Sequence, residues 1–86
     1  MGYPLSTVSG IIPAKANAND YIQTGIYALY GEVSGLAANA YGFLIIINNS
    51  QTTLQIHVSS TNMGGSTLLR QKFKDGEWTV WKNISA

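Results

Sequence analysis

The 86-residue sequence has no cysteine and a single histidine. Disulfides and thiolate metal sites are therefore excluded, and several imidazoles could meet only where copies of the chain meet. The longest strictly apolar run, residues 43–47, is far shorter than the ~20 residues that cross a bilayer. The first residues show no basic region followed by an apolar stretch, so we expect neither a signal peptide nor membrane insertion.

Charge is also scarce. Charged residues make up 10% of the chain, whereas ordinary domains have about 25%. The net charge of +1 offers no basic patch for nucleic acid or an anionic membrane. Amides, hydroxyls and glycines are abundant instead. This composition is common on extracellular β-structured proteins that bind sugars or pack into fibres.

The length allows one small domain with a small core. Burial of apolar surface in such a chain barely offsets the entropy lost on ordering, and no disulfide or metal is available to stabilise it. Association between copies is the remaining way to gain stability.

Turn residues divide the chain into extended segments. Residues 1–18 are predicted to be an extended lead-in or linker, and residues 19–86 a β domain. Asn19 or Asp20 could cap one helical turn that Gly25 closes. The rest predicts a mainly β fold, a small antiparallel meander of about five strands. The predicted strands are 26–30, 43–47, 52–58, 67–74 and a last one after the turn at Asp75-Gly76.

Two strands carry distinct face patterns. Residues 43–47 are all aliphatic or aromatic, which is typical of a strand covered on both faces; we expect the second cover to come from another chain. Residues 52–58 alternate, with Leu54, Ile56 and Val58 on one face and polar side chains on the other. In the next strand Arg70 belongs to a side that we expect to face solvent or a ligand.

An ordered set of motifs runs through residues 19 to 84. The set comprises Asn19, Gly25-Ile26-Tyr27, Gly42-Phe43-Leu44-Ile45, Leu54-Gln55-Ile56, Leu69-Arg70 and Trp78-Thr79-Val80-Trp81-Lys82. In this order they resemble the pyocin-type knob domain of phage and prophage tail fibres. One departure is the stretch 38–41, where such fibres carry a proline. The resemblance implies a trimeric fibre tip in the virion, made in the host cytoplasm and exposed outside the cell, that contacts a bacterial surface glycan or supports a domain that does.

Catalysis finds little support in the sequence. Glycan cleavage needs two carboxylates some 5 to 10 Å apart, and only Asp20, Glu32, Asp75 and Glu77 are available. We expect turn, cap or surface roles for these within one chain, and therefore no enzyme and no cofactor. His57 is expected to be exposed or hydrogen-bonded rather than a metal ligand.

The binding candidates are mostly loop residues whose amides and rings suit sugar hydroxyls. The predicted ligand residues are Tyr41, Asn48, Asn49, Gln51, Asn62, Arg70 and Trp81. Arg70 could instead pair with Glu77 across the closing hairpin. Trp78 and Trp81 are expected on opposite faces of an extended strand, where Trp78 would pack on Phe73 or Tyr27. Trp81 could stack on a sugar, lie in a subunit interface or cover the other face.

Three functions follow as hypotheses. The first is a receptor-binding fibre-tip knob that acts as a homotrimer and binds a cell-surface glycan. The second is a structural module that trimerises or spaces a fibre and binds no ligand. The third, a small depolymerase, is the least favoured.

Overall fold

The computed structural model describes residues 10–36, 41–60 and 65–84. Six strands form one sheet whose spatial order follows the chain. They are β1 (Gly10–Ile12), β2 (Gly25–Tyr30), β3 (Tyr41–Asn48), β4 (Thr52–Ser59), β5 (Thr67–Phe73) and β6 (Lys82–Asn83), with a 3-10 helix at Ala18–Asp20. The predicted mainly β fold is confirmed, and β2 to β6 form the expected antiparallel meander.

The predicted lead-in is in part a piece of the sheet. β1 pairs with β2 in parallel, in the register Gly10 to Tyr27 and Ile12 to Leu29. A parallel pair needs a connection of about a dozen residues, and residues 13–24 supply it. This connection also pairs with residues 32–34, since the Ala18 amide donates to the Ser34 carbonyl at 2.9 Å. The boundary expected at residue 18 therefore falls inside one packed unit.

The helical turn starts earlier than predicted and ends without glycine. Asn17 is its N-cap, and the Oδ1 of Asn17 accepts the Asn19 amide at 2.9 Å. The turn ends at Tyr21, whose φ of −100° is extended rather than left-handed. Gly25 begins β2 instead of closing the turn.

The sheet has two unlike faces, set by the alternation of side chains along each strand. We call the first the covered face: it is every second residue of the four long strands, beginning at Gly25, Gly42, Thr53 and Leu68. The open face takes the alternate residues, beginning at Ile26, Tyr41, Thr52 and Thr67.

The covered face contains the core. Two segments, 13–24 and 31–36, together with Trp81, pack over it. The apolar cluster they form consists of Ile12, Ala18, Leu29, Val33, Leu44 and Ile46. β4 reverses the usual arrangement here, because its polar residues Gln55 and His57 are fully buried while Leu54, Ile56 and Val58 on the open face are only half-buried.

The closing hairpin differs from the one predicted. The turn is centred one residue earlier, since Lys74 has a φ of +52° and the Gly76 amide donates to the Phe73 carbonyl at 2.9 Å. Residues 77–81 leave the sheet, apart from Thr79, whose amide donates to the Gln71 carbonyl. Pairing resumes only at β6. The extended strand expected to hold both tryptophans is therefore absent.

Gly42 tests this description of the sheet. Its φ is +100°, and a Cβ added there would overlap the carbonyl of Val58 on β4. We expect Gly42→Ala to lower the free energy of unfolding by more than about 2 kcal/mol in urea denaturation, because it combines backbone strain with a steric clash. Gly10→Ala is the control: its Cβ would lie 3.8 Å from the Tyr27 ring, an ordinary contact. Equal stability of the two variants would contradict the β3–β4 register.

Candidate functional site

Arg70 lies on β5, on the covered face of the sheet, and is 6% exposed. Its guanidinium carbon is 4.2 Å from the centre of the Trp78 ring and 4.6 Å from that of Trp81. Indole rings attract a cation through the negative potential of their faces. We call Arg70, Trp78 and Trp81 the arginine stack. Both tryptophans thus lie over the same face of the sheet, and the prediction that they point to opposite faces was wrong.

Two amide oxygens complete the surroundings of Arg70. The Nε of Arg70 donates to Gln55 Oε1 and its Nη2 to Asn19 Oδ1, both at 2.8 Å. The structure therefore replaces the predicted pairing with Glu77, which is exposed in the closing turn. Burial lowers the pKa of Arg70 to about 10, so the side chain stays charged at neutral pH.

Gln55 extends the network into the segment that precedes β2. Its Nε2 donates to the carbonyls of Ala18 and Tyr21, both at 2.8 Å. With the bond from Arg70, this fully buried amide makes three hydrogen bonds. Such complete pairing is what allows a polar side chain to lie inside a small core.

His57 is the second buried polar group of β4. Its Nε2 lies 3.2 Å from the carbonyl oxygen of Tyr41, which identifies Nε2 as the protonated nitrogen of a neutral ring. Its Nδ1 is buried without a hydrogen-bond partner. Desolvation lowers the pKa of His57, and the bond to Tyr41 opposes this only in part. The ring of Trp81 lies edge to face with it at 6.2 Å. The prediction of a hydrogen-bonded histidine is confirmed, while an exposed one is wrong.

A polar cleft lies where the β3–β4 turn meets the turn after β5. Its lining includes Asn48, Ser50, Gln51, Lys72, Lys74 and Asp75. The two turns are neighbours because Thr52 pairs with Phe73, and the Lys74 amide donates to the Gln51 carbonyl. The cleft holds two cations and one carboxylate in a chain that has only nine Lys, Arg, Asp and Glu residues, five basic and four acidic.

The asparagines of this turn shape the cleft. Asn48 Nδ2 donates to the Ile22 carbonyl at 2.8 Å, and its Oδ1 accepts the Ser50 amide. Asn49 Oδ1 accepts the amides of Gln51 and Thr52. These bonds fix the turn around Ser50, whose φ is +80°. The exposed side chains of Ser50 and Gln51 are thereby held beside Lys74.

The structure separates the predicted ligand residues into three groups. Asn48 and Gln51 meet in the polar cleft, with Asn49 in the same turn. Tyr41 lies at the other end of β3, about 23 Å away at ~3.3 Å per residue. Arg70 and Trp81 belong to the arginine stack, where Trp81 Nε1 also donates to the Gly35 carbonyl at 2.9 Å. Asn62 lies outside the described residues.

Sequence reasoning missed the lysines and Asp75 as partners of the asparagine turn. The signal was present in the two predicted strands. If residues 52–58 and 67–74 pair as neighbours in a meander, the turn before the first lies beside the end of the second. The sequence carries no comparable signal that Asn19 and Gln55 bind Arg70, because no local pattern distinguishes a buried amide from an exposed one.

Comparison with protein-family models, with curated proteins and with solved structures found no match. The resemblance to a tail-fibre knob therefore stays a prediction. Within residues 10–36, 41–60 and 65–84 no helix has the length and apolarity needed to span a membrane. The same residues contain no group of three or more His, Asp or Glu side chains that could hold a metal ion.

Arg70→Lys tests the arginine stack. A lysine keeps the charge but cannot reach both amide oxygens in the fixed geometry of a guanidinium. Because Gln55 Oε1 would remain buried and unpaired, we expect a loss of roughly 2 to 4 kcal/mol in the free energy of unfolding. Lys82→Ala removes an exposed cation and should change it by less than about 0.5 kcal/mol. Two equally stable variants would contradict the buried network.

His57 predicts a pH dependence of stability. Its pKa is lower in the folded state, so the unfolded state binds the proton first as pH falls through about 6.5. The free energy of unfolding should therefore fall below pH 7, by at most about 1.4 kcal/mol per pH unit, until the folded state also takes up the proton. Urea denaturation between pH 7 and 5 measures the slope. His57→Gln should remove it, since the chain has no other histidine; an unchanged slope would assign it to another group.

Proposed function

We propose that this chain is a non-enzymatic attachment module, a knob of the tail-fibre type, that binds a hydroxyl-rich glycan in the polar cleft. The observation that carries the proposal is the meeting of Gln51, Ser50, Lys72, Lys74 and Asp75 at one end of the sheet. Sugar hydroxyls both donate and accept hydrogen bonds, and this lining offers donors and acceptors together. The turn that presents it is already held by its own hydrogen bonds, which lowers the entropy lost on binding.

The charges of the cleft narrow the ligand class. Two lysines stand against one aspartate, so the local balance favours a glycan that carries carboxylate or phosphate groups. Lys72 and Lys74 each hold their ammonium group near an aromatic ring, at 5.4 Å from Trp78 and 5.3 Å from Phe73. These contacts limit where the cations can move. An acidic surface polysaccharide fits this arrangement better than a neutral one.

The positions of the carboxylates support a non-enzymatic role. Asp20, Glu32, Asp75 and Glu77 are all exposed. A glycosidase acid is usually kept protonated by a shielded environment, and its partner lies within about 10 Å. None of the four carboxylates has the shielded environment of a glycosidase acid.

A structural fibre module that binds no ligand is the second candidate. The apolar open face favours it, because assembly alone would explain that surface. In either case the resemblance implies that three copies act together. Virion location and exposure outside the cell belong to the same proposal.

A glycan array of neutral and acidic bacterial polysaccharides tests the attachment function. We expect binding to acidic glycans, weakened at least about tenfold by Lys74→Ala, because one charge-assisted hydrogen bond contributes about 1.5 to 3 kcal/mol. Lys82→Ala removes the same charge outside the cleft and should bind like the parent protein. Folded protein that binds no glycan would favour the structural module, and release of reducing ends would support a depolymerase.

A further inference from the structure

The open face concentrates the exposed apolar surface of the described chain. Nine large apolar side chains are exposed, and six of them, Ile11, Tyr30, Tyr41, Phe43, Ile47 and Phe73, lie on this face. Between them Ile45, Leu54, Ile56 and Leu69 are only half-buried. Scattered single apolar residues are normal on a protein surface, but a contiguous patch of this kind marks an interaction site.

The open face has no charged residue in the four long strands. Its polar members there are Thr52, Thr67 and Gln71, together with the hydroxyls of Tyr30 and Tyr41. In a soluble domain the solvent side of an antiparallel sheet ordinarily alternates to polar and charged residues. Here both charged side chains of β5, Arg70 and Lys72, belong to the covered face, and Arg70 is buried there. The face that would normally meet water is therefore composed like the inside of a protein.

The face is also large enough for a stable interface. Four strands spaced about 4.8 Å apart and up to eight residues long outline roughly 19 by 26 Å, or about 500 Å² before side-chain relief is counted. Stable interfaces bury about 800 Å² of accessible surface per partner. A biological interface should bury at least about 1,000 Å² in total, or about 500 Å² per partner, and the outline of the open face reaches that bound before Ile11 of β1 is added.

We propose that the open face is the surface through which copies of this chain associate, sheet against sheet. A second copy is the occupant that fits its composition, because lasting interfaces between identical chains resemble a domain core cut in half and are depleted of charge. The strand residues of this face bring no charge into such a contact, and the nearest cation, Lys74, lies beside Phe73 at the edge of the face. The buried apolar cluster on the covered face has only six members among the described residues, so association through the open face would add apolar burial that one chain lacks.

The geometry of such an assembly follows from sheet packing. Two sheets pack face to face about 10 Å apart with interdigitating side chains, and Phe43 lies near the middle of the contact, between Ala28 and Val58. This inference does not rest on glycan binding, since none of the open-face residues just named lines the polar cleft. Protein that binds no glycan leaves this interface unaffected, whereas a monomeric protein contradicts both this interface and the three-copy assembly that the resemblance implies.

The native mass of the full chain in solution, measured by light scattering over a concentration series, tests the proposal. We expect a multimer of fixed stoichiometry. Phe43→Lys places a charge in the contact and should weaken association at least about 100-fold, with an unchanged far-ultraviolet circular dichroism spectrum, because Phe43 is already 45% exposed in one chain. Val80→Lys, at a residue that is 86% exposed outside the sheet, is the matched control and should associate like the parent protein.

A parent protein that stays monomeric at its highest soluble concentration overturns the proposal, as does Phe43→Lys protein that associates as well as Val80→Lys protein. Ile47→Lys, at a half-exposed position nearer the end of the face, replaces Phe43→Lys if that variant does not fold. A dimer or a trimer that the folded face variant dissociates, and that Val80→Lys leaves assembled, supports the interface. The copy number then gives its symmetry.

Discussion

The buried guanidinium of Arg70 is the constraint around which this small fold is arranged. Removing a cation from water is costly, and the cost is offset here by two indole faces and two amide oxygens rather than by a carboxylate. These partners come from three separate parts of the chain: Asn19 before β2, Gln55 on β4, and Trp78 and Trp81 after β5. A change that displaces one of these segments would expose the guanidinium or leave a hydrogen-bond partner of Arg70 unpaired. The charge thus links both ends of the described chain across the sheet.

The polar interior has a direct consequence for the opposite side of the sheet. Because side chains alternate strictly along a strand, placing Gln55 and His57 inward turns Leu54, Ile56 and Val58 outward. A shift of one residue in the pairing of β4 would bury these apolar residues but would expel the partners of Arg70. The network therefore fixes the register, and the register creates the apolar open face. The burial of one amide network therefore accounts for both the register of β4 and the apolar character of the open face.

The elements of this fold were readable from the sequence, while the assignment of its faces was not. Turn residues located every long strand to within two residues, and the unbroken run 43–47 indicated that one chain alone would not cover it. Alternation in residues 52–58 gave two faces but did not show which one is buried. Polarity alone would bury the apolar face, whereas the structure buries the polar one. Only long-range partners, Asn19 to Arg70 and Gln55 to Ala18, decide that question. The prediction of the closing hairpin was wrong for a related reason. Trp78 and Trp81 stack on the Arg70 guanidinium instead of continuing a strand.

The same reversal puts most of the proposed ligand cleft on the other side of the sheet from the proposed assembly surface. Asn48, Thr53 and Lys72 of the polar cleft belong to the covered side of their strands, whereas Lys74 holds its ammonium near Phe73 of the open face. The cleft therefore lies mainly on the covered side, at the end of the sheet. Copies that pack through their open faces would carry their clefts outward, at the rim of the assembly. Several identical clefts on one rigid body raise the effective concentration of each for a repetitive surface polysaccharide. Under the proposed function, weak binding at each shallow cleft would then suffice for attachment, which suits a domain too small to build a deep pocket.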